Sequence, residues 1–179
     1  MFEKWKLTVR TFRSIHSSIR QAKADRRRYL EMPAAELAGV PDDRLADAVF
    51  FRADHKVEQA ADPARGIAAL NAAQKVVYTI WLFDTETNNG GVCQFFQNSS
   101  RTVTPFVSDC LAGIGADEHK KLFDGLLERR PELKRTDAPG QWTETVPPAE
   151  IEAFDEALFA LPPLSELLLL FIREHLQEL

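Results

Sequence analysis

Cysteine is scarce in this chain. Cys93 and Cys110 are the two, with sixteen residues between them and neither a CxxC spacing nor a neighbouring histidine. That excludes a disulfide scaffold and a cysteine-rich zinc site, and it fits free buried thiols in a reducing cytoplasm. Histidine is sparse too: His16, His55, His119 and His175 show no ligand spacing, so neither a structural metal nor any cofactor is expected. The 8 glycines form no phosphate-cradling loop. Long hydrophobic runs are missing as well. The longest, Leu167 to Ile172, falls far short of the roughly 20 residues that cross a bilayer. The charge-studded start of the chain lacks the apolar stretch of a signal peptide. Period-two alternation, the mark of a half-buried strand, is absent.

What is present is helical. At 179 residues with 45% hydrophobic and 27% charged side chains, the chain can bury a substantial core and is not a disordered polymer. Asp62-Pro63 is a helix start, and Ile67, Leu70, Val77 and Trp81 continue one apolar stripe behind it, so a single helix is expected to run to about Asn88. Asp42 and Asp117 are placed to cap helices, Thr104-Pro105 begins another that Gly115 closes, and Pro162-Pro163 separates two final helices over about 149–160 and 164–178. Residues 131–148 read as a long loop. At the N-terminal end Trp5, Val9, Phe12, His16 and Ile19 form one stripe of an amphipathic helix. The expected class is all-α, a single compact domain of about six to eight helices: an amphipathic basic N-terminal helix over 1–31, a linker over 32–41, and a helical core over 42–179.

One segment stands apart. Residues 86–100 read Glu-Thr-Asn-Asn-Gly-Gly-Val-Cys-Gln-Phe-Phe-Gln-Asn-Ser-Ser. Asn89, Gly90 and Gly91 tolerate left-handed backbone angles, so a helix stop is expected there, with the two glycines allowing either a sharp reversal or a close approach by another backbone. A short helix would follow, with Gln94 and Asn98 on one face and Phe95 and Phe96 turned into the core. The segment resembles the bacterial family named for a DNA-mimic protein, through Glu86, Asn89, Gly90, Gly91, Gln94, Phe95, Phe96, Asn98 and Ser99. The similarity extends over roughly residues 44–179, including Phe154 to Phe159 and Ile172 to His175. Val92 and Cys93 depart from the aromatic and polar residues often seen after the glycines, and the first forty residues show no match.

Chemistry is thin around this motif. Asp84 and Glu86 are two apart and so diverge on a helix, which denies them the roles of paired acid and base. No Ser-His or Cys-His pairing follows from spacing. Two readings of the motif stay open: a turn whose amides tie down the backbone, and a polar pocket lined by Asp84, Glu86, Asn88, Gln94 and Asn98, with Asn89, Gly90, Gly91 and Ser99 as further motif residues that binding would involve.

Charge is unevenly spread. Residues 1–31 hold nine basic and three acidic side chains, a net of +6; the remainder holds 13 basic and 24 acidic, a net of −11. From Thr136 onward nine carboxylates face only Arg173. Glu144, Glu150, Glu152, Asp155, Glu156, Glu166, Glu174 and Glu178 are therefore the candidate acidic interaction surface. Carboxylates four apart on a helix lie roughly 6 Å apart, about a quarter of the charge density of duplex DNA at one charge per 1.7 Å. Several helices or a homodimer would be needed to imitate a duplex. The expected function is a non-enzymatic module that binds a basic protein, with a DNA-binding protein or a nuclease as the partner that the resemblance implies, and no binding of nucleic acid itself. A small-ligand protein or enzyme built on the Asn-Gly-Gly turn, and a membrane-surface adaptor using the basic N-terminal helix, are the alternatives.

Overall fold

The computed structural model describes residue 21, residues 23–136 and residues 148–179. The apolar stripe from Trp5 to Ile19, most of the expected 131–148 loop, and Glu144 lie outside these. Among the described residues every regular element is helical. Helix α1 covers 23–31. It is followed by α2 (Asp42–Glu58), α3 (Pro63–Ala69), α4 (Ala72–Gln97), α5 (Thr104–Gly113), α6 (Asp117–Arg129), α7 (Pro148–Phe159) and α8 (Leu164–Glu174). Single 3-10 turns occupy Ala34–Gly39, Ser99–Val103, Pro131–Lys134 and Leu176–Glu178. The fold is all-α, and no described helix is long and apolar enough to cross a membrane.

Local chemistry sets the boundaries. Asp62 accepts the Arg65 amide at 3.0 Å with Pro63 at the first helical position, so α3 starts where the sequence places it. The single helix expected from Pro63 to Asn88 is, however, two. Leu70 turns extended (φ −65, ψ 142), and Asn71 opens α4 with a capping box. Its side chain accepts the Gln74 amide at 2.8 Å while the Gln74 side chain reaches back to the Asn71 amide. The stripe continued across the break because Leu70 is itself buried. Asn71 also donates to the Glu178 carbonyl at 2.7 Å, pinning the C-terminal 3-10 turn to the start of α4.

Helix α4 is the spine, packed against α2, α5, α7 and α8. Its inward side chains Val77, Ile80, Phe83, Phe95 and Phe96 are fully buried. Phe83 meets Phe95 and Phe123 edge-on at 5.1 and 5.4 Å, and Phe96 lies parallel to Phe123 at 6.4 Å. On the α2 side Phe50 stacks on Trp81 at 3.7 Å and on Tyr78 at 5.5 Å.

The residues ahead of α2 also enter this core. Tyr29 of α1 is buried and stacks on Phe51, and Leu37 and Val40 are buried between α1 and α2 in the chain. Arg52 donates to the carbonyls of Tyr29 (3.2 Å) and Met32 (2.5 Å), and Arg26 bridges Asp54 and Glu58.

Candidate functional site

Residues 86–100 hold a helix stop and a sharp bend. Gly90 (φ −159, ψ 29) and Gly91 (φ 70, ψ −179) leave helical angles and divide α4 into two helices joined at a kink. The chain turns back far enough for Phe95 to meet Phe83, twelve residues earlier, at 5.1 Å. Of the two glycines, only Gly91 occupies the left-handed region; the Gly90 φ is extended backbone open to any residue. A methyl group at Gly91 would collide with the carboxylate of Asp155, which comes from α7. The kink frees the Val92 amide at the head of the second half of the helix, and Asp155 Oδ1 accepts it at 2.8 Å. An internal helix start is thereby capped by a side chain from another helix. Burial pushes the Asp155 carboxyl up from its ordinary value, against the lowering effect of the Val92 amide.

Glu86 gathers the motif's polar side chains. Its Oε2 accepts from Gln94 Nε2 at 2.7 Å and from Asn98 Nδ2 at 2.8 Å, which ties the helix before the kink to the helix after it. Ser100 Oγ lies 3.1 Å from Glu86 Oε1 and 3.2 Å from the Phe95 carbonyl, so its one proton serves either acceptor. Asn88 is not part of this cluster; it folds back on Asp84, donating to the carbonyl at 2.8 Å and to Oδ1 at 2.9 Å. Asn89 and Ser99 are exposed. The serine that meets Glu86 is Ser100, one position past the one singled out in the sequence, because the 3-10 turn Ser99–Val103 swings it back over the helix end.

Of the clefts that border α4, two hold the acidic side chains of interest. One, of about 320 Å³, is lined by Asp54, Glu58, Tyr78, Glu86, Ser99 and Ser100 among others. Burial, with the charges of Asp54 and Glu58, pushes the Tyr78 hydroxyl up to about 12. The other, of about 430 Å³, lies between α2, α4 and α8, with Asp42, Asp43, Asp47, Asp84 and Glu166 around Trp81 and two leucines. Asp84 and Glu86 thus open into different clefts, as their spacing implies. Burial raises the Asp84 carboxyl, and the Asn88 hydrogen bond opposes that rise.

The acidic residues of the C-terminal half divide. Glu150 is half-buried and paired with Arg129 (3.1 Å) and Arg130 (3.3 Å). Asp155 is the cap of the kink. Glu152, Glu156, Glu166, Glu174 and Glu178 are exposed. Asp42, Asp43, Asp47 and Asp84, distant in sequence, join Glu166 around one cleft; no charge count along the chain brings them together. Among the described residues no group of three or more His, Cys, Asp or Glu is arranged to hold a metal. Both thiols are raised, Cys110 to about 11, chiefly by burial.

A sequence model of the DMP19-like protein family matches residues 68–175. The chain belongs to that family. The DMP19-like region runs from the end of α3 to just past α8, so the kink, the Glu86 cluster and the Asp155 cap all lie inside it, whereas α1 and α2 lie outside. Comparison with curated proteins and with solved structures gave no significant match.

Proposed function

We propose that this DMP19-like protein acts by binding another protein, and that its carboxylates imitate duplex DNA at the nucleic-acid-binding face of a basic partner. Family membership is the observation that carries the reading, since the family is named for a DNA mimic. The exposed carboxylates of α7 and α8 (Glu152, Glu156, Glu166 and Glu174) and Glu178 beyond them support it. Charges of one sign steer an oppositely charged surface into encounter and repel nucleic acid itself. A homodimer is one way to reach the charge density that a single helix lacks.

The pocket reading of the motif is weaker, because Glu86 already accepts hydrogen bonds from Gln94, Asn98 and Ser100 of its own chain. Membrane contact would rest on the stripe from Trp5 to Ile19, which lies outside the described residues.

The test is affinity capture with the full chain, followed by competition. A partner should elute as salt screens the exposed charges, should be displaced by duplex DNA, and should associate more slowly with Glu152→Lys/Glu156→Lys. A captured partner whose binding ignored salt, DNA and both reversals would sink the mimicry.

A further inference from the structure

The cleft between α2, α4 and α8 is built differently from an ordinary acidic surface. Its floor is Trp81, half-buried and immobilised twice: Phe50 stacks on it at 3.7 Å with the rings 13° from parallel, and its indole Nε1–H donates to Asp47 Oδ1 at 3.0 Å. A rigid aromatic surface with a carboxylate at its edge is therefore in place before any ligand arrives. Asp43 and Glu166 stand exposed at the rim. The cation that reaches Asp43 is its own neighbour Arg44 at 3.6 Å, beyond hydrogen-bond range.

The margin of the cleft already holds one guanidinium. Arg173 donates to Asp42 and, at 3.0 and 2.9 Å, to the carbonyls of Ala38 and Val40. Planar, forked donors thus fit the carboxylates and carbonyls offered here.

We propose that this cleft seats an arginine side chain of the protein partner, stacked against Trp81 with its donors on Asp43, Asp47 and Glu166. The proposal rests on the acidic-surface reading above and adds the chemistry that the partner must present. Arginine fits better than lysine for three reasons. Its guanidinium is flat and stacks on indole, it is weakly hydrated and so enters a half-enclosed site cheaply, and its donors fork across two carboxylates. Lysine brings the same charge as a compact, strongly hydrated point. A volume of about 430 Å³ is within the range of sites that enclose a ligand group.

Peptides of six arginines and of six lysines, equal in length and charge, distinguish the ideas. Each is titrated into the full chain at low salt, with binding followed together with the indole Nε1–H resonance of Trp81, assigned after Trp5→Phe and Trp142→Phe. The arginine peptide should bind about fivefold tighter, the worth of one cation–π contact of about 1 kcal/mol, and should shift the Trp81 resonance. Asp43→Asn with Glu166→Gln should weaken it about tenfold, and Glu152→Gln with Glu156→Gln by less than threefold, since rim charges away from the cleft contribute little to affinity. Equal binding of both peptides with Trp81 unmoved, and sensitivity only to Glu152 and Glu156, would overturn the cleft proposal while leaving the acidic-surface reading standing. Failure of both peptides to bind at low salt would overturn both.

Discussion

Replacing Gly91 by alanine probes the joint between α4 and α7. Two costs add. An alanine at φ 70 is strained by roughly 1 kcal/mol, and its methyl group must drive the Asp155 carboxylate away. The Val92 amide, in a residue with no solvent exposure, then loses its acceptor, a capping loss of about 1.5 kcal/mol. The total for Gly91→Ala is about 2.5 kcal/mol. Asp155→Ala alone forfeits the cap, about 1.5 kcal/mol. In that background the alanine at 91 meets no carboxylate, so it adds only the backbone strain, and the double variant should lose about 2.5 kcal/mol rather than the additive value of about 4. Urea unfolding followed by far-UV circular dichroism, with unchanged m values, measures all four corners of this cycle. Energies that add to within ~0.3 kcal/mol would show that Asp155 and Gly91 are uncoupled, and the account of the kink would fail. At Gly90 the backbone needs no glycine, and an added methyl group meets the side chain of Gln94, so Gly90→Ala should cost less than Gly91→Ala.

Acid should weaken the fold through His119. Its Nε2–H donates to the Pro162 carbonyl at 3.0 Å, and burial lowers its pKa from the ordinary 6.5 despite that bond. The folded state prefers neutral imidazole, so this stabilisation is complete above the unfolded value and is lost as pH falls through the folded one. The drop in Tm between pH 7.5 and pH 5 should be smaller in His119→Gln than in the parent; an equal drop would refute the assignment. Removal of residues 1–41 should destabilise or aggregate the remainder, because it strips buried Tyr29, Leu37 and Val40 from the core and uncovers Phe51, at about 2 kcal/mol for each large side chain. A truncated chain beginning at Asp42 with unchanged Tm and solubility would contradict this.

The helical class was readable because Asp62-Pro63, Thr104-Pro105 and the Gly115 stop are local signals, and Gly115 does take a positive φ of 73. The break at Asn71 was also written locally, in the Asn-x-x-Gln box, but the apolar stripe running through Leu70 masked it. The kink is a mixed case. The helix stop and bend at Asn-Gly-Gly were legible locally, whereas the acceptor that caps the second helix lies sixty-three residues away. Long-range pairing likewise removes Glu150 from the free acidic surface, through Arg129 and Arg130. It also assembles Asp42, Asp43, Asp47 and Asp84 beside Glu166. Gln94 and Asn98 were the most legible part of the candidate site, because four residues apart they share one helix face, and the bend at Gly90-Gly91 is what brings both onto Glu86.

The borrowed cap at Val92 has a consequence for the order of assembly. Asp155 leaves the ribosome sixty-three residues after Val92, which at 5–20 residues per second is a delay of about 3–13 s. Through that interval the segment 92–97 has no native acceptor at its head and no α7 against its side. The nascent chain can therefore form the N-terminal part of α4 early, while the six residues after the kink wait for the C-terminal third of the protein. A ribosome stalled before Asp155 should hold a chain in which Phe95 and Phe96 remain open to chaperones, and release from that state should coincide with synthesis of α7.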